Sequence, residues 1–341
     1  MNCIWRVALM LALLPGFTWV GQSAAQTEQG FSLQVSPSPL IATVKPGEDT
    51  VLELRIRNTN VTSQALKMGI KSFSTDDATG QIKLGQDNPV SVRDIVSFDQ
   101  PTFTLKAGEI YTQRIHIRAP EDSGFSYNFA VTIAQQNAPK PKKGQSAIAG
   151  SVAVFTLINV DRPGAVRKFE VSSVSVTKRT YEYLPASIQL KLKNTGNTDV
   201  QPTGSVFIQR KSSDTTPLAV LPLNKDGGYI IPGSSRTFTI DWADGFPHYE
   251  AGSNTDKNEQ KLVWKGGLGN VRFGKYVAKI VAVYDDGERD VPYMSEVSFW
   301  VIPWRILLVV LGVLAVLIIG LLVTFRSFGK AVGVTATRIR R

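Results

Sequence analysis

The sequence predicts an all-β protein, two tandem immunoglobulin-like β-sandwiches followed by a single transmembrane α-helix, and three observations carry that expectation. Short runs of alternating apolar and polar residues, punctuated by Pro, Gly, Asn and Asp, recur from residue 31 to residue 302. They fall into two series on either side of Asp161, Arg162, Pro163 and Gly164. Residues 306–325 then give twenty positions without a charge, sixteen of them Leu, Ile, Val or Phe.

Residues 1–25 read as a secretory signal. Arg6 ends a short basic start, residues 7–14 are apolar, and Ser23, Ala24 and Ala25 suit cleavage after Ala25. Cys3, the only cysteine, precedes the apolar run, so the chain has no lipoprotein cleavage pattern and no disulfide. The exported part must rely on core size, which two domains of ordinary length supply.

The first sandwich, residues 26–162, is built on alternating runs at 31–35, 50–57, 65–70, 102–105, 111–117, 127–133 and 151–157. Turn residues separate them: Pro46 and Gly47, Asp76 to Gly80, Ala107 and Gly108, and Pro120 to Gly124. The second sandwich, residues 163–302, repeats the pattern at 169–176, 186–192, 204–209, 235–240, 274–283 and 296–301. The halves read as distant copies of one plan. A strand ending in Asn58, Thr59 and Asn60 is echoed by Asn194, Thr195, Gly196 and Asn197, where asparagine lets a turn residue take positive φ at low cost. Tyr127 after Gly124 and Tyr276 after Gly274 stand where sandwich domains pin a corner with a tyrosine hydroxyl.

The apolar stretch sets the location. Twenty helical residues span about 30 Å, the thickness of a bilayer's hydrocarbon core. A helix is expected over 303–326, with Trp300 and Trp304 at the membrane interface and Arg305 reaching the headgroups. The tail, 327–341, follows Arg326 and carries Lys330, Arg338, Arg340 and Arg341 without an acidic residue, which makes it cytoplasmic by the positive-inside rule. The expected protein is therefore single-pass and type I in the cell membrane, with its bulk extracellular or periplasmic. Of the 38 Lys and Arg, seven lie in the signal, the helix start and the tail. The exterior part keeps 31 against 28 acidic residues, a balance of +3, and has no basic stripe for nucleic acid.

Residues 31–40 with Pro37 and Pro39, Lys45-Pro46-Gly47, the strand ending at Asn58, residues 104–108 ending in Gly108, and Ala119 to Asp122 with Gly124 together resemble the peptidoglycan-binding domain of WxL-interacting proteins. The likeness covers residues 31–160. Beyond them it rests on Phe273 to Tyr276 and on the run from Ser298 to Trp304. It implies a surface protein of Gram-positive-type bacteria whose first domain contacts peptidoglycan and whose second contacts a host. The family's second-domain landmarks are missing, so host binding is not carried over.

The residues supply no catalytic constellation, so an enzyme is not expected, nor a cofactor or metal. His116 alternates outward with Arg114 and Arg118, and His248 has no second His or Cys at metal-ligand spacing. Asp285, Asp286, Glu288 and Asp290 offer oxygens to Ca²⁺, but Asp286-Gly287 is also a hairpin signal, and the plain turn is the preferred reading. Two loops are the binding candidates. Residues 135–144 carry Lys140, Lys142 and Lys143 toward anionic wall polymers or lipid headgroups. Residues 243–270, long for a connection, carry Phe246, Tyr249 and Trp264, which suit carbohydrate or protein recognition or the covering of a sheet edge. The expected function is non-covalent binding of peptidoglycan or surface proteins by a membrane-anchored protein. The alternative is a membrane-tethered, chaperone-like assembly factor that accepts a client strand along an open sheet edge. An unpaired edge strand beside an apolar groove is the feature that separates the two.

Overall fold

The computed structural model describes residues 31–338 apart from 77–80, 86, 88, 123, 137–149 and 252–259. The expected signal segment and Lys140, Lys142 and Lys143 therefore lie outside the described residues.

In the first domain β1 (Leu33–Ser36), β2 (Leu40–Val44), β3 (Asp49–Asn58), β4 (Gln64–Lys71), β5 (Phe73–Thr75) and β6 (Ile82–Leu84) precede a one-turn helix, α1 (Val90–Arg93). It is completed by β7 (Val96–Phe98), β8 (Thr102–Leu105), β9 (Ile110–Arg118), β10 (Ser126–Gln135) and β11 (Ser151–Val160). One sheet has the order β1-β3-β9-β7 and the other β2-β11-β10-β4-β8. Alternation explains the layering. Leu54 and Ile56 of β3, Ile115 and Ile117 of β9, and Phe129 and Ile133 of β10 are fully buried between the sheets, while the residues between those of β3 and β9 face water. Each such side chain contributes about 1.5 to 3 kcal/mol by leaving water.

The second domain contains β12 (Phe169–Val176), β13 (Thr180–Tyr181), β14 (Ala186–Asn194), β15 (Thr203–Gln209), β16 (Ala219–Pro222) and β17 (Ser235–Trp242). Then come β18 (His248–Ala251), β19 (Gln260–Val263), β20 (Gly274–Asp285) and β21 (Asp290–Val301). Its sheets run β12-β14-β17 and β13-β21-β20-β15-β16. Trp242, Tyr276 and Phe299 meet at the centre of its core, with Trp242 and Tyr276 ring centroids 5.0 Å apart.

Both domains are immunoglobulin-like sandwiches, and the repeated plan is explicit in how the first strand divides. β1 pairs antiparallel with β3, whereas β2 joins the opposite sheet parallel to β11. In the same way β12 pairs with β14, and β13 joins β21 in parallel. In the first domain the crossing falls at Pro37 and Pro39, which have no N–H to continue a ladder.

The asparagine echo is also structural, but its role differs from the turn function expected of it. Asn58 and Asn194 are buried. The Asn58 side-chain amide donates to the carbonyls of Thr62 at 2.8 Å and of Leu105 and Lys106 at 3.1 Å. That of Asn194 donates to Thr198 and Ile230, both at 2.8 Å. Each side-chain oxygen accepts the backbone N–H two residues on. The asparagines thus tie adjoining loops to the core by satisfying buried carbonyls. The corner tyrosines behave alike: the Tyr276 hydroxyl accepts the Phe273 N–H at 3.1 Å, and the Tyr127 hydroxyl sits over Gly124, where no side chain fits.

Two segments carry more regular structure than their sequence pattern records. Residues 243–270 contain the paired strands β18 and β19 and a 3₁₀ turn at Leu268–Asn270, so the loop's length is taken up by structure of its own. The C-terminal helix α2 (Trp304–Arg338) also runs well past Arg326, since no proline interrupts the segment. Its Trp304–Thr324 portion is the one helix among the described residues long and apolar enough to cross a membrane.

Candidate functional site

Because β1 leaves its sheet at Ser36 and β2 meets β11 only from Thr156 onward, half of β11 has a partner on one side alone. Ser151 to Phe155 pair with β10, and no described strand pairs with their other edge. That half-strand reads Ser-Val-Ala-Val-Phe, with neither charge nor proline. β21 is bare over most of its length for the same topological reason, because β13 covers only Trp300 and Val301. Yet β21 carries Asp290, Pro292 and Glu296, the residue types that discourage a further strand. The edge in the first domain has no such guard.

Phe155 ends the bare segment and turns into a cleft between the domains. The cavity there measures about 190 Å³. Pro39, Phe73, Phe155 and Leu157 line it from the first domain, and Tyr229 and Arg236 from the second. Phe73 meets Phe155 edge-on at 5.2 Å, giving that side an aromatic floor. The Arg236 guanidinium packs against Gly228, donates to the Tyr229 carbonyl at 3.2 Å and lies 5.3 Å from the Phe238 ring centroid. Burial lowers its pKa, with the Asp226 charge opposing the shift. The cleft therefore offers apolar surface and two opposite charges, Arg236 and Asp226.

Beside the cleft the domains are pinned by Asp199, which is 3% exposed. Its carboxylate accepts from Ser126 Oγ at 3.0 Å and Asn128 Nδ2 at 2.8 Å, and its backbone N–H donates to Asn159 Oδ1 at 2.9 Å. The three partners lie on β10 and β11, so every one of these bonds crosses between domains. Desolvation raises the Asp199 pKa from 3.8 to about 6, against the lowering effect of the Asn128 and Ser126 hydrogen bonds.

The residues singled out from sequence scatter. His116 bonds Asp99 at 2.6 Å on a part-exposed strand face. His248 lies within reach of the Gly245 carbonyl and of Glu250 Oε1, at 3.0 and 3.2 Å. Among the described residues no three His, Cys, Asp or Glu side chains group to hold a metal. In the β20–β21 hairpin Asp285 Oδ1 accepts from Gly287 N, and Asp286 Oδ1 from Glu288 N and Arg289 N; these backbone bonds lower the Asp286 pKa. Those oxygens serve the turn. Phe246 and Trp264 come together near the start of α2, whereas Tyr249 lines a separate hollow with Tyr183 and Trp304. Trp264 meets Phe246 edge-on at 5.9 Å, and Tyr249 meets Tyr183 at 5.8 Å. Sequence reasoning missed Asp199, Arg236 and the bare half of β11; the Ser-Val-Ala-Val-Phe run reads as a strand, but nothing in it announces a missing neighbour.

No family model and no curated protein matches the chain, so the resemblance to WxL-interacting proteins rests on the quoted motifs alone. Solved structures are similar at low identity. The class 5 fimbriae chaperone CfaA is 11% identical, with 77% of this chain and 99% of that chain covered and a TM-score of 0.37. The E. coli chaperone DraB is 14% identical, with 78% and 98% covered and a TM-score of 0.33. A protein of unknown function from Porphyromonas gingivalis is 16% identical, with 78% and 99% covered and a TM-score of 0.29.

Proposed function

We propose that this is a membrane-anchored, chaperone-like binding protein that takes an extended segment of a partner protein along the bare half of β11. The observation that carries this reading is the unguarded edge from Ser151 to Phe155, opening beside an apolar cleft. A strand edge presents a row of free N–H and C=O groups. An added strand satisfies them, while its alternate side chains enter neighbouring pockets. Here Phe73, Phe155 and Leu157 supply the apolar surface and Arg236 the polar contact. Helix α2 serves as the anchor, and the basic residues from Arg326 onward orient the tail toward the cytoplasm, leaving both sandwiches outside.

Photo-crosslinking in intact cells tests the reading. A thiol-linked probe on Ser151→Cys samples the exposed bare edge, and Glu170→Cys on β12 serves as control. Adducts confined to Ser151→Cys, whose partner peptides alternate apolar and polar residues, support strand addition. Equal yields at both positions, no adduct, or an adduct only with a second copy of this chain would refute it.

A further inference from the structure

The base of the second domain is unusually apolar for a surface. Trp264 is 62% exposed, Phe273 51%, Trp304 50% and Val271 44%. Surrounded by water, such a group would be a liability, whereas at headgroup level aromatic rings are stabilised. The chain has no slack there. The Trp300 and Ile302 N–H groups donate to the Arg179 and Tyr181 carbonyls at 2.9 and 2.8 Å, and α2 begins at Trp304. Arg305 further approaches Glu182 at 3.5 Å. The domain is thereby held against the helix start.

Into this base opens a hollow of about 250 Å³. Leu184, Phe246, Trp264, Val271, Pro303 and Ile306 form most of its wall. Its one charged residue, Arg272, is already bonded to the Asp244 carboxylate at 2.6 Å and to the Asp244 carbonyl at 2.8 Å. Ile306 is also the first residue of the twenty-residue stretch without a charge, so one wall of the hollow is continuous with the apolar helix. Pockets for whole small molecules run to about 300–1,000 Å³, and this smaller, apolar space suits a segment of hydrocarbon chain.

We propose that the hollow receives an acyl chain of a bilayer phospholipid, seated between α2 and the β18–β19 hairpin. This rests on α2 being the membrane anchor. An acyl chain lying there would cover Trp264 and Val271 and leave Lys265, next to Trp264 in the chain, near the phosphate level.

Reconstitution of the full chain into phosphatidylcholine vesicles, brominated in the upper part of the acyl chains, tests the proposal through tryptophan quenching. Subtracting Trp264→Phe and Trp304→Phe spectra isolates each indole. Both are expected to be quenched, and Val271→Phe, which narrows the hollow, is expected to cut quenching of Trp264 at least twofold while leaving Trp304 and the buried Trp242 emission unchanged. Quenched Trp304 with unquenched Trp264 overturns the acyl-chain site and leaves the anchor standing. Undiminished Trp264 quenching in Val271→Phe also overturns it, by showing surface contact alone. A chain released by alkaline carbonate, with neither indole quenched, overturns the anchor reading itself.

Discussion

Asp199→Asn is expected to remove a pH dependence built into the junction between the domains. The folded Asp199 carboxyl has a pKa of about 6 against the ordinary 3.8 of an aspartate in water, a gap that corresponds to about 3 kcal/mol. The raised value means that folding takes up a proton between about pH 4 and pH 6. This contribution is fully present below the unfolded pKa and is lost as pH rises through the folded one, so stability falls across that window and levels off above it. The cause is burial: at neutral pH the carboxylate keeps its charge at 3% exposure, with two side-chain donors and no cation bonded to it among the described residues. Protonated, the carboxyl sheds the charge that burial penalises. An asparagine at this position mimics the neutral form at every pH. Urea unfolding of the full chain in detergent micelles, followed by tryptophan fluorescence from pH 4 to pH 7.5, measures both proteins. Other carboxylates titrate equally in the two, so the difference curve isolates Asp199. The variant should match the parent near pH 4 and exceed it by about 3 kcal/mol above pH 6.5. Parallel profiles would show that the junction tolerates the charge and that the reasoning is wrong.

Asn58→Ala and Asn194→Ala each leave buried backbone carbonyls without donors and are expected to cost about 3 kcal/mol in denaturant unfolding. Asn58→Asp should cost more than Asn58→Ala, because it removes the donors and adds a buried charge. Ser151→Lys places on β11 the kind of guard that β21 already has; stability should stay within about 0.5 kcal/mol, while partner adducts from a probe at Ala153→Cys in the same chain are lost. Undiminished adducts would argue against strand addition at that edge.

What could be read from the sequence follows from how each feature is encoded. The long strands were legible because burial on one face writes itself as alternation, as in β3, β9 and β14. The missed strands are short: β7 has three residues and β13 two. β2 follows two prolines and takes its place from pairing with β11, which local pattern does not record. The aromatic trio was legible as a long loop rich in Phe, Tyr and Trp, although its setting beside α2 was not. Asp199 was invisible because its surroundings arise from groups far off in the chain: the Asn128 bond spans 71 residues. Arg236 stands in an ordinary alternating strand, and only the docking of the first domain turns its surroundings into a cleft.

The two proposed sites are kept apart by the length of β21. Twelve residues in a strand cover about 40 Å, from Asp290 in the hairpin to Val301 beside the helix start. The hairpin end adjoins the domain linker, since Arg167 reaches Asp285 at 3.4 Å, so the first domain begins where the second is farthest from α2. If the base lies at the bilayer surface as proposed, the bare edge of β11 would stand off the membrane on the order of 40 Å, well beyond the reach of lipid headgroups. On the proposed anchoring, that distance favours a soluble or protruding segment of protein over lipid as the occupant. That occupant need not supply charge along the edge, because Ser151 to Phe155 carry none. Backbone pairing then supplies affinity with little sequence demand, and selection among partners falls to the side chains that reach Phe155, Leu157 and Arg236 in the cleft.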